Sequence, residues 1–390
     1  MGRLHKGCVG ILPVGALGVG FFHHLTGELS RIDGSVCFLE REGSASGAAL
    51  RLAGKVHIGE TTLDMQRVAR PHLLACFEAG WLPEIVLVCT QPDQLLGIMK
   101  TIVRLIERAH SAGALNDAVS ELPVFVLCSN GIYFQRVRQY FIELIEEAIA
   151  FGKLPELWPE RMPRIVGKLL RGVTIQTGQR EGTGASAIYR PGPRGRTLLA
   201  GGDAAHRTRA AEVLSALGGW VEVAAHLSAT RVEFDKALVN LSANLLGQLH
   251  AIDNAGKFRV LTVREILDEE GSDETRELAK HVIAIGRAVG AYSAADDFDA
   301  LCAQMLESLR LHLDHVPSSL QWIEQQLRLR NLKPRLTPTE QWLLEPLIRY
   351  AHVAGLEDAA RYFEHLTRQV EHRIALAARA CSGMQAGTAS

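Results

Sequence analysis

Lys236, Asn240 and Asn244 stand four residues apart in succession, within the largely apolar stretch that runs from Phe234 to Gln248. Residues at that spacing share one face of a helix, so the three polar groups form a stripe. Burying such groups costs free energy unless they meet a partner. The stripe is therefore either a solvated outer face or a surface that waits for a polar ligand. Its chemistry would be specific. A positioned ammonium can stabilise and protonate an oxygen that gains charge, and amides can orient a ligand without adding charge.

A second set of residues lies near the N-terminus. Val9 to Leu12 reads as a short buried strand, followed by Pro13-Val14-Gly15-Ala16-Leu17-Gly18. Dinucleotide folds place G-x-G-x-x-G at this point. The first glycine makes the tight turn, the second admits the pyrophosphate, and the third lets helix and strand pack closely. Here Pro13 replaces the first glycine; Gly15 and Gly18 supply the other two. The start of the following helix offers unpaired N–H groups to an anion. About 20 residues on, the second strand ends at Glu40-Arg41. An acidic residue there can hold the ribose hydroxyls of NAD, whereas an arginine can hold the 2′-phosphate of NADP. A guanidinium beside a dianionic phosphate is the stronger interaction, so the cofactor expected is NADP(H).

The elements that must position these residues fall into two parts. Apolar strands at Ser35 to Glu40, Glu84 to Thr90 and Val124 to Cys128 alternate with helices at about Ala16 to Leu29, at Met65 to Glu78 and after Pro92. Continuous apolar strands separated by helices imply a parallel sheet covered on both faces. Between Gly172 and Gly201 short strands are expected at 173–177, 186–189 and 197–200. The Arg190-to-Arg196 turn joins the last two as a solvated hairpin. After Asp203 the chain reads as helical, with helices from Ala204, Ala225, Asp273 and Asp296 and a final pair between Thr339 and Ala378. Asp203 and Asp235 read as helix-start residues. The expected fold is α/β, a Rossmann-type doubly wound sheet (residues 1–202) followed by an all-helical domain (203–380) and a disordered tail (381–390).

Composition narrows the function classes. A formal net charge of -1, with basic residues scattered, leaves no electrostatic footprint for nucleic acid or an anionic membrane surface. No stretch is apolar for long enough to span a bilayer. The apolar run from Cys8 to Phe22 mimics a secretory signal, but Pro13 and three glycines interrupt it and no small-residue cleavage site follows. Seven cysteines without a C-x-x-C pair fit a reducing compartment, and a cytoplasmic location is expected. The 15 histidines form no ligand pattern, so no metal is expected. His23-His24 reads as part of a polar helix face.

Four segments, in order, resemble the ketopantoate reductase (2-dehydropantoate 2-reductase) family. Gly15-Ala16-Leu17-Gly18, with Arg41 downstream, is similar to its cofactor loop and NADP-reading arginine. Ser129-Asn130-Gly131 resembles the Asn-Gly that ends a central strand beside the nicotinamide. Lys236-x-x-x-Asn240-x-x-x-Asn244 is similar to the catalytic helix. Ser318-Ser319-Leu320-Gln321, with Thr339-Glu340 further on, resembles the substrate-binding serine and the Thr-Glu of the next helix. The resemblance implies a Rossmann-type domain and a helical domain with the substrate between them. It implies reduction of ketopantoate to pantoate with NADPH, on the route to vitamin B5 and coenzyme A. Lys236 would be the general acid and Glu340 would sit near the substrate. Asn240, Asn244 and Ser318 would hold the substrate's hydroxyl and carboxylate. Asn130 would place both substrate and nicotinamide.

The sequence also departs from the family. Gln91 stands where a lysine is usual, at a position expected to reach the bound cofactor or acid. Trp322 replaces an aspartate, and about ten extra residues separate Gln321 from Glu340. The helices around 102–121 and 136–162 look longer than usual. Two other readings stay open: a non-catalytic relative that keeps dinucleotide binding, and a reductase of a bulkier 2-keto acid with Trp322 as a stacking surface. The reading allows a homodimer, with a small-molecule acid as the partner.

Overall fold

The computed structural model describes residues 3–30, 34–113, 122–182, 184–215, 218–267 and 269–383. It divides into two units, Met1–Ser129 with Phe134–Ala229, and Asn130–Tyr133 with Thr230–Ser390. The division falls after Ala229 rather than at 202/203, because the chain beyond 203 adds a further strand to the first unit's sheet.

Twelve strands are described in the first unit: β1 (Arg3–Leu12), β2 (Ser35–Leu39), β3 (Lys55–Ile58), β4 (Thr61–Asp64), β5 (Ala69–Arg70), β6 (Trp81–Val88), β7 (Val124–Leu127), β8 (Leu169–Thr174), β9 (Gly178–Glu181), β10 (Ile188–Pro191), β11 (Thr197–Ala200) and β12 (Val221–Val223). Eight of them form one sheet in the order β12-β11-β8-β7-β6-β1-β2-β5. The pairs from β5 through β8 are parallel, β11 runs antiparallel to β8, and β12 lies parallel to β11. β7 and β8 are buried along their whole length, as are Cys8 to Leu12 of β1. That is why these segments read as unbroken apolar runs. From β1 the chain moves to β2 on one side and later returns to β6 on the other. The point beyond the carboxyl ends of β1 and β6 is therefore a topological switch point, where open α/β sheets bind ligands.

Several expectations are corrected. A second sheet, in the order β4-β3-β10-β9, was not anticipated; its strands are short and half exposed. The 190–196 turn does not close a hairpin, since β10 and β11 belong to different sheets. Its arginines face carboxylates: Arg190 meets Glu181 at 2.8 Å, Arg194 meets Glu28 at 2.5 Å and Arg196 meets Glu222 at 2.6 Å. The 65–78 stretch is not one helix. It breaks at β5 and Pro71 into Met65–Val68 and Leu73–Glu78. β12 interrupts the helical run expected after Asp203.

In the second unit the helices Ala229–Asn240, Leu246–Ala251, Glu269–Ala288, Phe298–Arg310, Ser318–Arg328, Pro338–Val353 and Glu357–Gly383 share one apolar core. Phe234, Leu241, Leu245, Ile323, Leu347 and Phe363 lie at its centre, each fully buried. The helix Leu95–Ser111 ends before the expected 121, and residues 114–121 lie outside the described residues. Of the tail expected at 381–390, residues 381–383 instead continue the helix Glu357–Gly383, and 384–390 lie outside the described residues. No helix among the described residues is long and apolar enough to cross a membrane.

Candidate functional site

In the first unit the glycine turn follows β1, and the helix Ala16–Leu29 begins directly after Gly15, which caps it without a side-chain hydrogen bond. Gly15 is extended, and a Cβ added to it would meet nothing within 4 Å. The backbone is therefore open to a ligand at the helix N-terminus, where first-turn N–H groups lack intrahelical partners. Gly18 has the opposite job. A Cβ there would lie 2.6 Å from the Pro13 carbonyl oxygen, so only glycine lets the helix pack on the turn. Ala16 and Leu17 are half-buried in the first helical turn.

A small pocket lies between this turn and the end of β2, lined by Pro13, Val14, Glu40, Arg41 and Ser44 among others. Glu40 and Arg41 differ in what they have left to offer. The Glu40 carboxylate is already engaged by Arg51 at 3.0 Å. Arg41 Nε is buried and has no hydrogen-bond partner among the described residues. Gln91 is exposed in the turn after β6. Behind that edge, the buried Arg171 donates to the carbonyl oxygens of Leu127 (2.7 Å), Gly172 (2.8 Å) and Ser129 (2.9 Å). Ser129 Oγ donates in turn to the Thr90 carbonyl at 2.5 Å.

Asn130, Lys236, Asn240, Asn244, Ser318 and Glu340 all belong to the second unit, and of these Ser318 and Asn244 are joined by a hydrogen bond. The short segment that carries Asn130 is tied to two of its helices. Ile132 N–H donates to the Trp342 carbonyl at 3.2 Å, and Tyr133 N–H donates to Glu233 Oε1 at 3.2 Å. Gly131 has φ +129°, and a Cβ there would sit 3.1 Å from Trp342. Asn130 itself is exposed.

The polar stripe is built differently from its expected form. The helix begins at Ala229 rather than Ala225, and it passes into a π turn over Leu241–Leu245. Leu246 N–H there donates to the Leu241 carbonyl, five residues back. The wider turn moves Asn244 around the axis relative to Lys236 and Asn240. Such turns recur at functional sites. Asp235 is not a helix-start residue. It lies inside the helix, ion-paired with Arg231 at 3.0 Å, and Arg231 also holds Asp296 at 2.8 Å. Asp203, by contrast, does occupy the N-cap position of its helix.

Lys236 is half-buried, and no ion pair or hydrogen bond to its ammonium is found among the described residues. Burial pulls its pKa down to about 8. Its charge is felt by His315, whose pKa is lowered by burial first, then by His312 and by Lys236. Asn240 and Asn244 are buried. Asn244 Oδ1 accepts from Ser319 Oγ (2.9 Å), Ser319 N–H (3.1 Å) and Ser318 Oγ (3.2 Å). With its oxygen held this way, the asparagine keeps its NH₂ group as the donor it has left to offer. Glu340 is completely buried, and among the described residues neither carboxyl oxygen has a partner at hydrogen-bond geometry. Burial pushes its pKa up to about 8, opposed by smaller pulls from its own backbone N–H and from Gln248. Ser319, Gln248 and His315 were not assigned from the sequence. Gln248 did carry a signal, since it extends the four-residue spacing one step beyond Asn244. Trp322 packs against the unit's apolar core.

No protein family matches the sequence, and no curated protein does either. Solved structures match the fold. The ternary complex of D-mandelate dehydrogenase with NADH and anilino(oxo)acetate is 15% identical, with a TM-score of 0.60 over 95% of this chain and 99% of that one. A probable 2-dehydropantoate 2-reductase from Bacillus subtilis is 12% identical, with a TM-score of 0.58 over 94% and 99%. Octopine dehydrogenase with NADH and pyruvate is 10% identical, with a TM-score of 0.53 over 94% and 89%. At these identities the likeness is one of fold: a mixed α/β chain with a largely parallel central sheet and a helical C-terminal part, as in the 2-dehydropantoate 2-reductases.

Proposed function

We propose that the protein is a nicotinamide-dependent reductase of 2-keto acids, with NADPH as cofactor and ketopantoate or a related acid as substrate. Lys236 is the observation that carries this reading. A half-buried ammonium without a counter-ion is costly, and a pKa near 8 suits a proton donor at neutral pH. Its neighbours on the stripe are amides, which suit a carboxylate or hydroxyl. The enzymes of like fold include some whose structures hold NADH with pyruvate or with anilino(oxo)acetate.

The first unit's residues fit a dinucleotide. Gly15, Ala16, Leu17 and Gly18 would hold the pyrophosphate at the open helix start. Arg41, whose buried Nε has no partner among the described residues, would take the 2′-phosphate. Gln91 and Asn130 would border the nicotinamide. When bound, the cofactor supplies a hydride to the keto carbon. Lys236 then gives its proton to the oxygen that becomes an alkoxide. Asn244, oriented by Ser318 and Ser319, donates to the acid. Asn240 and Ser318 hold its hydroxyl and carboxylate, and Glu340 completes the wall. Reduction of ketopantoate would serve pantothenate synthesis in the cytoplasm. One enzyme of like fold, the ketopantoate reductase of Staphylococcus aureus, is described as dimeric, and a homodimer is proposed here too.

The test is NADPH oxidation followed with ketopantoate and a panel of 2-keto acids. Turnover that depends on an added keto acid is the expected result. Tight NADPH binding with no turnover on any of them would overturn the enzyme reading in favour of a dinucleotide-binding relative.

A further inference from the structure

Arg41 stands between two acids, Glu40 and Glu42, just past the end of β2. Carboxylates so close along the chain are natural counter-ions for a guanidinium. Here both are engaged by other arginines. Arg51 Nη1 lies 3.0 Å from Glu40 Oε2, and Arg104 Nη1 donates to Glu42 Oε2 at 2.8 Å. No ion pair to Arg41 is found among the described residues, and its buried Nε has no partner there.

Arg51 comes from an anchored helix, Ala45–Ala53. Ser44 Oγ caps that helix by accepting from Gly47 N–H at 3.2 Å, Gly54 closes it in the left-handed conformation, and Leu50 is buried beneath it. Arg51 lies in the last turn, where a cation suits the helix dipole. The Glu40 backbone is fixed as well, since its N–H donates to the Arg70 carbonyl at 3.2 Å. Only the Glu40 side chain has a choice of partner. Glu40 and Arg41 line the pocket beside the glycine turn, whereas Arg51 is not among its lining residues. Any effect of Arg51 on that pocket therefore passes through Glu40. Left to themselves, residues 40 to 42 would set two negative charges against one positive charge, a poor seat for a dianionic phosphate. With Arg51 and Arg104 added, the balance turns positive.

We propose that Arg51 is a specificity-determining residue for the cofactor. By holding Glu40 it keeps that carboxylate from Arg41, which stays free for a 2′-phosphate. It also keeps Glu40 from the ribose hydroxyls, whose protons the carboxylate would otherwise accept. Arg104 keeps Glu42 from Arg41 in the same way. The preference for NADPH over NADH is thus set by Arg51 acting through Glu40. This rests on the reading that the first unit binds a dinucleotide at Arg41; it does not depend on turnover.

Fluorescence titrations of NADPH and NADH, without a keto acid, test it. The preference is read as the ratio of Kd for NADH to Kd for NADPH. In Arg51→Ala that ratio should fall by about tenfold, with NADPH roughly fivefold weaker and NADH about twofold tighter, the scale of a partly exposed ion pair. The paired side chains are 60% and 12% exposed, so the melting temperature should barely move. Arg51→Lys, which keeps the charge, should retain most of the preference. Adding Glu40→Ala to Arg51→Ala should bring the ratio back to within about twofold of the parent, because the two residues act as one unit. A parental ratio in Arg51→Ala overturns the proposal. So does a fall that survives in the double variant, since Arg51 would then touch the phosphate itself. Equal binding of the two cofactors by the parent leaves no preference to set and overturns it too. If the ratios behave as expected but no keto acid is reduced, the reductase reading fails and the role of Arg51 stands. If keto acids are reduced and Arg51→Ala keeps the parental ratio, the reverse holds.

Discussion

The two units treat their polar groups in opposite ways. In the sheet unit the candidate site is mostly main chain, with Arg41 as its one charged side chain: an open glycine, a helix start, and a turn after each of two neighbouring strands. In the helical unit it is side chain: a buried acid, a half-buried lysine and buried amides whose hydrogen bonds are fixed by serines. Backbone sites tolerate changes of residue type as long as the path of the chain survives, which accounts for Pro13 standing where a glycine is usual. Side-chain sites depend on single atoms. Substitutions in the helical unit should therefore act on the keto acid, through its binding or its chemistry, and those in the sheet unit on affinity alone.

Lys236→Ala is the largest expected effect. It should lower kcat by at least ~10²-fold, as expected for a lost general acid. Melting temperature and NADPH binding should hold, because no hydrogen bond or ion pair to the ammonium is found among the described residues. Steady-state kinetics beside a binding titration would check this, and parental turnover would remove the contrast between the units. Next comes Arg41→Ala, which should weaken NADPH by roughly 10- to 100-fold, the worth of a charge-assisted contact of ~1.5–3 kcal/mol. NADH affinity should barely move, since Glu40 is already engaged by Arg51. Equal affinities for the two cofactors in the parent, unchanged in the variant, would contradict the assignment.

The pH dependence sharpens the same contrast. Reduction needs Lys236 in its protonated form, and its pKa is lowered from 10.5 to about 8 by burial. As pH rises through that value the acid form is lost, so kcat/KM should fall about tenfold per unit above it. Oxidation of the hydroxy acid, which needs the free amine, should rise over the same range. NADPH affinity, set in the sheet unit, should not follow this titration. A flat rate profile to pH 10 would argue that the ammonium takes no part.

The legible parts of the chain carry local signals. The helix Ala16–Leu29 was readable to the residue, because Gly15 and an apolar run mark its start. The central strands were readable because burial on both faces leaves unbroken apolar runs. The small sheet was not: β3, β4 and β9 have four residues each, with exposed polar positions. Its β3–β10 pairing also joins His57 to Ile188, far apart in the chain. Within the candidate site, residue types were legible and geometry was not. Four-residue spacing reads the same through an α turn and a π turn, so the shift of Asn244 left no trace. Asp235 looked like a cap because its partners, Arg231 and Asp296, come together only in the fold. Gln248 passed for part of an apolar helix, although a buried amide always needs partners at both ends.

The smallest expected effect belongs to Gln91. It is exposed in the turn after β6, at the carboxyl edge of the sheet beside the switch point. A lysine there could add a charge-assisted contact to the cofactor or acid. At an exposed position water screens most of that gain, and such contacts are worth ~0–1 kcal/mol. Arg171 does not stand in for the missing charge, because its guanidinium is buried and donates to three carbonyl oxygens. Gln91→Lys should therefore raise kcat/KM for ketopantoate by roughly two- to fivefold, with a gain that shrinks as salt is added. Because Gln91 belongs to the sheet unit, the gain should appear in KM rather than in kcat. An increase confined to kcat would mean that a sheet-unit residue reaches the chemistry, and the division of labour between the units would then have to be redrawn. Efficient reduction by the parent, unaltered or worsened in Gln91→Lys, would show that the neutral side chain at this position costs the enzyme nothing.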